Sequence, residues 1–128
     1  MVGIVIVSHS QKLAEGVVEL ARMMAANVPI APAGGLDNGE TGTSYEKIRQ
    51  AIESVYSDDG VAVLMDMGSA VMTTEMVLED MEERKVKMLD CPLVEGAVLA
   101  AVESVGDISL EDLESKIGEA RDTKKLMD

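Results

Sequence analysis

Apolar runs of strand length alternate along this chain with segments of helical period. The run Gly3-Ile4-Val5-Ile6-Val7-Ser8 predicts a buried strand over residues 4–7. Behind it, Leu13, Val17, Leu20 and Met24 fall at i, i+4, i+7 and i+11, one stripe of a 3.6-residue repeat, and predict a helix that turns those four inward. Val28-Pro29-Ile30-Ala31-Pro32 is extended but carries two prolines, which cannot donate to a ladder and so place this strand at a sheet edge. A loop over 33–43 with Gly34, Gly35, Gly39 and Gly42 leads into Thr43-Ser44-Tyr45-Glu46, capping-box spacing for a helix that buries Tyr45, Ile48, Ile52 and Val55. After the turn residues Asp58-Asp59-Gly60, the uniformly apolar Val61-Ala62-Val63-Leu64-Met65 reads as a strand covered on both faces and ended by Asp66.

A third helix is expected from near Ser69 to about Glu83, with Ala70, Thr74, Val77 and Met81 on one side. Lys85-Val86-Lys87-Met88-Leu89 alternates polar with apolar, which suits a second edge strand whose charges oppose stray pairing. A fourth helix over 94–105 has apolar residues at 94, 97, 98, 101, 102 and 105, a stripe wide enough to be buried or to meet another subunit. Ser109-Leu110-Glu111-Asp112 opens a last amphipathic helix with Leu110, Leu113 and Ile117 inward. Four strand–helix units predict an α/β three-layer sandwich on a mostly parallel sheet with right-handed crossovers. The apolar first and third strands are central and the other two are edges, giving the order 2-1-3-4. In that order the winding reverses between strands one and three, and open α/β sheets bind ligands at the strand ends beside such a reversal. His9 follows the first strand and Asp66 ends the third, so both fall at this crevice.

Composition narrows what the crevice can do. With 128 residues, 47% of them hydrophobic, the chain supports one core, and a single domain over 1–128 is expected. The N-terminus lacks a signal peptide and no apolar run reaches 18 residues, which predicts a cytoplasmic protein. One cysteine, Cys91, fits a reducing compartment and reads as a small hydrophobe rather than a nucleophile. The net charge of −13 argues against nucleic-acid and anionic-membrane partners, which need a basic footprint, and points to a partner that is positively charged or small. Residues 1–60 carry −4 (4 basic, 8 acidic) and residues 61–128 carry −9 (7 basic, 16 acidic). Glu75, Glu79, Asp80, Glu82 and Glu83 make up much of the excess and read most simply as a solvated helix face. No Phe or Trp is present, which disfavours stacking on a nucleobase or flavin, and the ten methionines read as core filler.

The chain has one histidine, His9, at the point where the first strand hands over to a helix. Imidazole carries or shuttles a group near neutral pH, its ordinary pKa being about 6.5. A carboxylate such as Asp66 beside it would accept a hydrogen bond from one ring nitrogen and leave the other free as a nucleophile. The helix starts after Ser10 and at Gly68-Ser69, together with the Gly34-Gly35 loop, can turn backbone N–H groups toward an anion, which suits a phosphoryl group. Ser69 would add a hydroxyl donor, and the missing side chains of Gly35 and Gly68 would allow close backbone approach. Each feature also has a plain structural reading: a strand-ending aspartate, a helix-capping serine, turn glycines. Walker A and metal-binding His/Cys patterns are missing, so no metal or cofactor is expected, nor a self-contained kinase.

Taken in order, Gly3-Ile4-Val5-Ile6-Val7-Ser8-His9-Ser10, Ala33-Gly34-Gly35 with Gly42-Thr43-Ser44, and Leu64-Met65-Asp66-Met67-Gly68-Ser69-Ala70 resemble the DhaM family over nearly the whole chain. These are the phosphotransferase subunits of phosphoenolpyruvate-driven dihydroxyacetone kinases, a branch of the mannose-type enzyme IIA group. The resemblance implies that His9 takes a phosphoryl group on Nε2 from the carrier HPr. It implies further that His9 passes the group to ADP held on the DhaL subunit, whose ATP then serves DhaK. It also implies that Asp66 orients His9 through Nδ1, that Gly35, Gly68 and Ser69 line the phosphoryl pocket with Thr43 as a further candidate, and that the protein is a homodimer. Mannose-type IIA domains proper have an extra glycine at the third strand end, a proline after the serine and a C-terminal strand-exchanging extension. This chain lacks those features, which favours the dihydroxyacetone kinase branch. Fused HPr and enzyme I portions, carried by some members, would not fit in 128 residues, so separate carriers are expected to supply the phosphate. Two other readings stay open: a IIA domain feeding a sugar transporter IIB domain, and an anion-binding regulator without covalent chemistry.

Overall fold

Strand β1 (Gly3–Ser8) is buried at every position because its two faces enter different cores. Ile4 and Ile6 point to one side, with Ala62 and Leu64 of β3 (Val61–Met65). Val5 and Val7 point to the other, with Val61 and Val63. This two-sided burial is what a continuous apolar run, as opposed to an alternating one, allows in a parallel sheet. The computed structural model describes residues 1–126. Its four strands are all parallel in the order β2-β1-β3-β4, as the hydrophobic pattern predicts. Helices α1 (Gln11–Met24), α4 (Leu93–Val105) and α5 (Leu110–Gly118) cover one face, and α2 (Tyr45–Val55) and α3 (Gly68–Glu79) the other. No helix among the described residues is long and apolar enough to cross a membrane.

Both edges are protected by their sequence. Edge strand β2 (Ile30–Gly34) offers β1 the Pro29 carbonyl and the Gly35 N–H, so the even-numbered positions between them face outward. Pro32 therefore has its missing N–H on the free side. The outward carbonyls of Ile30 and Gly34 accept from Arg22 Nη2 at 2.9 Å and Lys47 Nζ at 3.0 Å. On the other edge, Lys85 just before β4 (Val86–Leu89) and Lys87 within it reach Glu111 and Glu114 of α5 at 3.7 and 3.2 Å.

Four local expectations are corrected. Helix α1 buries Ala14, Val17, Val18 and Ala21, while Leu13, Leu20 and Met24 stay exposed. The face is set by close approach and not by residue size: small Ala14 lets the helix start lie against β2, where Gly34 has no Cβ. Strand β2 begins later than expected and runs through Gly34, which belongs to the sheet and not to the glycine loop. Helix α2 is capped by Ser44, whose hydroxyl accepts from Lys47 N at 3.2 Å, so the Thr43–Glu46 box does not form. Its buried residues are Ile48, Ala51 and Ile52, with Tyr45 and Val55 only half-buried. Helix α3 stops at Glu79, four residues short of the expected end. With Glu79, Asp80, Glu82 and Glu83 crowded where the helix dipole is negative, and no basic residue in the last turn, further turns are disfavoured.

A Cβ on Gly34 would lie 2.5 Å from the Ser10 carbonyl oxygen and 2.7 Å from Ala14 Cβ. Gly34→Ala is therefore expected to destabilise the protein by ~1–3 kcal/mol, read as a lower urea midpoint with unchanged slope.

Candidate active site

Val7 on β1 is in register with Met65 on β3, so the residues that follow each strand emerge side by side. Asp66 continues the ladder by one step, its N–H donating to the Val7 carbonyl at 3.1 Å, and its carboxylate turns toward the start of α1. There it accepts four hydrogen bonds. Oδ2 takes Ser8 Oγ at 2.8 Å and the His9 backbone N–H at 3.1 Å; Oδ1 takes His9 Nδ1 at 3.0 Å and the Met67 N–H at 2.7 Å. A carboxylate has about four lone-pair sites, and this one fills them. Burial pushes the Asp66 carboxyl up, but the hydrogen bonds from Ser8, His9 and Met67 together outweigh it and hold the group below its ordinary value.

An ionised carboxylate can only accept, so Nδ1 of His9 carries the proton. Nε2 then presents its lone pair, and the Ser69 hydroxyl donates to it. The imidazole is gripped on one nitrogen and available on the other. Its side chain is 26% exposed against 11% for Asp66, so the ring reaches the surface from a sunken support. Among the described residues, no lysine or arginine pairs with Asp66, and the His9 ring is the basic side chain against it.

Two helix starts meet at this ring. His9 stands just before Ser10, the N-cap of α1, whose hydroxyl accepts from Leu13 N at 3.1 Å. Met67 caps α3 without a side-chain bond. Among the described residues, the N–H groups of Gly68 and Ser69 find no acceptor in the protein. Unmatched N–H groups and the positive end of a helix dipole beside a nucleophilic nitrogen form a ready seat for an anion. Gly68 is exposed, and a Cβ there would touch nothing within 4 Å, so the approach to this seat is open.

The glycine loop supports the site from behind. Gly35 adopts φ +67°, in the left-handed region, and its N–H is spent on the Ser8 carbonyl at 3.1 Å; it shapes the turn against Gln11 and does not donate to an anion. Gly42 N–H donates to the His9 carbonyl at 2.9 Å. Thr43 Oγ1 pairs with Thr73 Oγ1 at 2.9 Å, tying the loop to α3, and among the described residues it makes no hydrogen bond to His9. Cys91, remote in sequence from all of these, has its thiol pushed up to about 11 by burial, which makes it a poor nucleophile.

Sequence reasoning overlooked Ser8 and Thr73. Ser8 is fully buried, donates to Asp66 and accepts from Ser10 N at 3.0 Å, so it locks the carboxylate to the turn that carries His9. The signal was there: a buried hydroxyl at the end of an apolar strand must have a partner. Thr73 gave none, since its partner lies 30 residues away across a loop.

A family model described as "PTS system fructose IIA component" (EIIA-man) matches residues 3–114. The chain is 43% identical over 118 residues to the phosphoryl donor subunit DhaM of the PEP-dependent dihydroxyacetone kinase of Escherichia coli, covering 87% of this chain and 25% of that protein. It is 41% identical over 99 residues to the phosphotransferase subunit DhaM of Lactococcus lactis, covering 77% of this chain and 79% of that one. The chain thus spans about a quarter of the first relative's length and most of the second's. A crystal structure of the phosphotransferase system component EIIA from Streptococcus agalactiae superposes with a TM-score of 0.74 at 18% identity, covering 100% of this chain and 97% of that one, which is a likeness of fold.

Proposed function

This chain belongs to the PTS fructose IIA component (EIIA-man) family and within it to the DhaM branch, and from that premise we propose that it is a phosphohistidine relay. His9 Nε2 attacks the phosphorus of a phosphohistidine on HPr in the cytoplasm; a new N–P bond forms as the donor's N–P bond breaks and its electron pair returns to the donor nitrogen. The Nδ1 proton stays in place, and the ionised Asp66 balances the positive charge that develops on the ring. Ser69 Oγ swings from Nε2 to a phosphoryl oxygen, and the free N–H groups of Gly68 and Ser69 meet the others. Gly35 and Thr43 act at one remove, by holding the loop that fixes the His9 backbone.

The observation that carries this reading is a ring bonded through Nδ1 to an ionised carboxylate, with Nε2 held against the Ser69 hydroxyl at the start of α3. The acceptor is ADP on DhaL, by analogy with the relatives' kinase systems, and the ATP formed serves DhaK. The protein acts as a homodimer, for which the outer face of α4, with Val94 and Val102 exposed, is the surface on offer; the β2 edge is closed by Pro32 and its two capping cations.

Acceptor choice tests the assignment. Phosphorylated protein mixed with ADP-loaded DhaL is expected to lose its label to ATP and to keep it when mixed with a transporter IIB domain. The reverse preference would make it a IIA component of sugar uptake. A protein that takes no label from phosphoenolpyruvate, enzyme I and HPr would be an anion-binding regulator.

A further inference from the structure

Alternation along β1 and β3 puts Ile4, Ile6, Ala62 and Leu64 in the core under α1, and the next positions on that face are Ser8 and Asp66. Ser8 thus stands where an apolar residue would have extended the core. It is fully buried, and a hydroxyl in such a place is costly unless its bonds are made. Its oxygen accepts the Ser10 N–H at 3.0 Å, which leaves its single proton for Asp66 Oδ2 at 2.8 Å. The Ser8 carbonyl is held as well, by the Gly35 N–H at 3.1 Å. Hydroxyl and backbone are both fixed, so the donor cannot turn away from the carboxylate.

The two oxygens of Asp66 have different duties. Oδ2 is gripped at the end of β1 by the Ser8 hydroxyl and the His9 backbone N–H, whereas Oδ1 serves the His9 ring and the Met67 N–H at the start of α3. These are the groups that face the carboxylate from the two elements against it, and the His9 ring is the titratable one among them. Without Ser8, Oδ2 keeps one bond at 3.1 Å, and the carboxylate gains freedom to turn about its Cβ–Cγ bond. That turn carries Oδ1 off the line of Nδ1, and a nucleophile aimed loosely loses rate steeply. Charge follows the same geometry: burial pushes the Asp66 carboxyl up, and the Ser8 bond is foremost among those that hold it down.

We propose that Ser8 is a positioning residue for phosphoryl transfer: through Oδ2 it sets the plane of the Asp66 carboxylate and so the aim of the His9 Nε2 lone pair, an inference that rests on the relay reading. The test is a double-mutant cycle of Ser8→Ala and Asp66→Ala in the full chain, with labelling of His9 measured from phosphorylated HPr and from phosphoramidate, a small donor. Ser8→Ala is expected to slow labelling about tenfold with both donors, in the maximal rate and not in the half-saturating concentration of phosphorylated HPr. In the Asp66→Ala background the same substitution should leave the rate within about twofold, because the hydroxyl has no carboxylate left to aim. A carbon-13 carboxyl titration of Ser8→Ala should show the Asp66 midpoint moved up from its wild-type position. An unchanged rate or an unchanged midpoint overturns the proposal. So does a tenfold loss that persists in the Asp66→Ala background, which marks a structural role, or a defect confined to the half-saturating concentration. If Ser8→Ala does not accumulate folded, Ser8→Cys, close in volume and a weak donor, takes its place in the cycle with the same outcomes. Wild-type protein that takes label from neither donor would sink the relay itself, a result distinct from all of these.

Discussion

His9→Ala is expected to remain folded and to take up no phosphoryl label at all. The ring makes two side-chain hydrogen bonds, to Asp66 and Ser69, and is part of neither hydrophobic core, so its removal should cost stability by only about 1 kcal/mol. The chemical loss is complete because nothing else can substitute: the chain has no second histidine, and burial keeps the Cys91 thiol protonated. Incubation with phosphoenolpyruvate, enzyme I and HPr, followed by acid and alkali treatment, reads the outcome. Wild-type label should survive alkali and disappear in acid, as an N–P bond does. Equal labelling of variant and wild type would remove His9 from the mechanism.

Asp66→Ala is expected to slow labelling by about 10²-fold, ~2.7 kcal/mol of transition-state stabilisation, without abolishing it. In the proposed relay the bond is made by Nε2, while the carboxylate fixes the proton on Nδ1 and offsets the charge that the ring acquires. The same substitution strips four donors of their acceptor, and the Ser8 hydroxyl is fully buried, so a stability loss of ~1–3 kcal/mol should accompany the kinetic one. The pH dependence separates the two roles. Because the folded-state carboxyl lies below its ordinary value, its contribution to stability is fully present above the unfolded pKa, about 3.9, and is lost as pH falls through the depressed folded value. Denaturant titrations should therefore show the gap between wild type and Asp66→Asn narrowing below about pH 4. A gap that stays constant to lower pH would mean that the carboxylate is not held in its ionised form by these bonds.

The strand order and the meeting of His9 with Asp66 were legible because both follow from the longest apolar runs. Two fully apolar strands must be central, two strands marked by prolines or lysines must be edges, and the reversal between β1 and β3 then brings positions 9 and 66 together. What periodicity missed depended on close approach and long-range polar pairing. Leu13, Leu20 and Met24 outscore Ala14 and Ala21 as core residues on hydrophobicity, but the small Ala14 is what lets the start of α1 sit against Gly34. That the Ser8 hydroxyl needed a partner was legible from its place at the end of an apolar strand; which partner it finds, Asp66, 58 residues away, was not. Gly35 stands at the turn, and its N–H is spent on the Ser8 carbonyl, so it is not one of the donors free for an anion. The methionines of α3 carried the period of a helix and no mark of which side would be covered; only their exposure distinguishes Met72 and Met76 from the buried Met81.

In the proposed relay, Asp66 holds Nδ1 and leaves Nε2 to carry the phosphoryl group. A long-range proton–nitrogen NMR spectrum of the phosphorylated protein, with phosphorus coupling, identifies the bonded nitrogen directly. Phosphorus on Nε2 of His9 with a proton retained on Nδ1 is expected; phosphorus on Nδ1, or on the Ser69 oxygen, would contradict the relay.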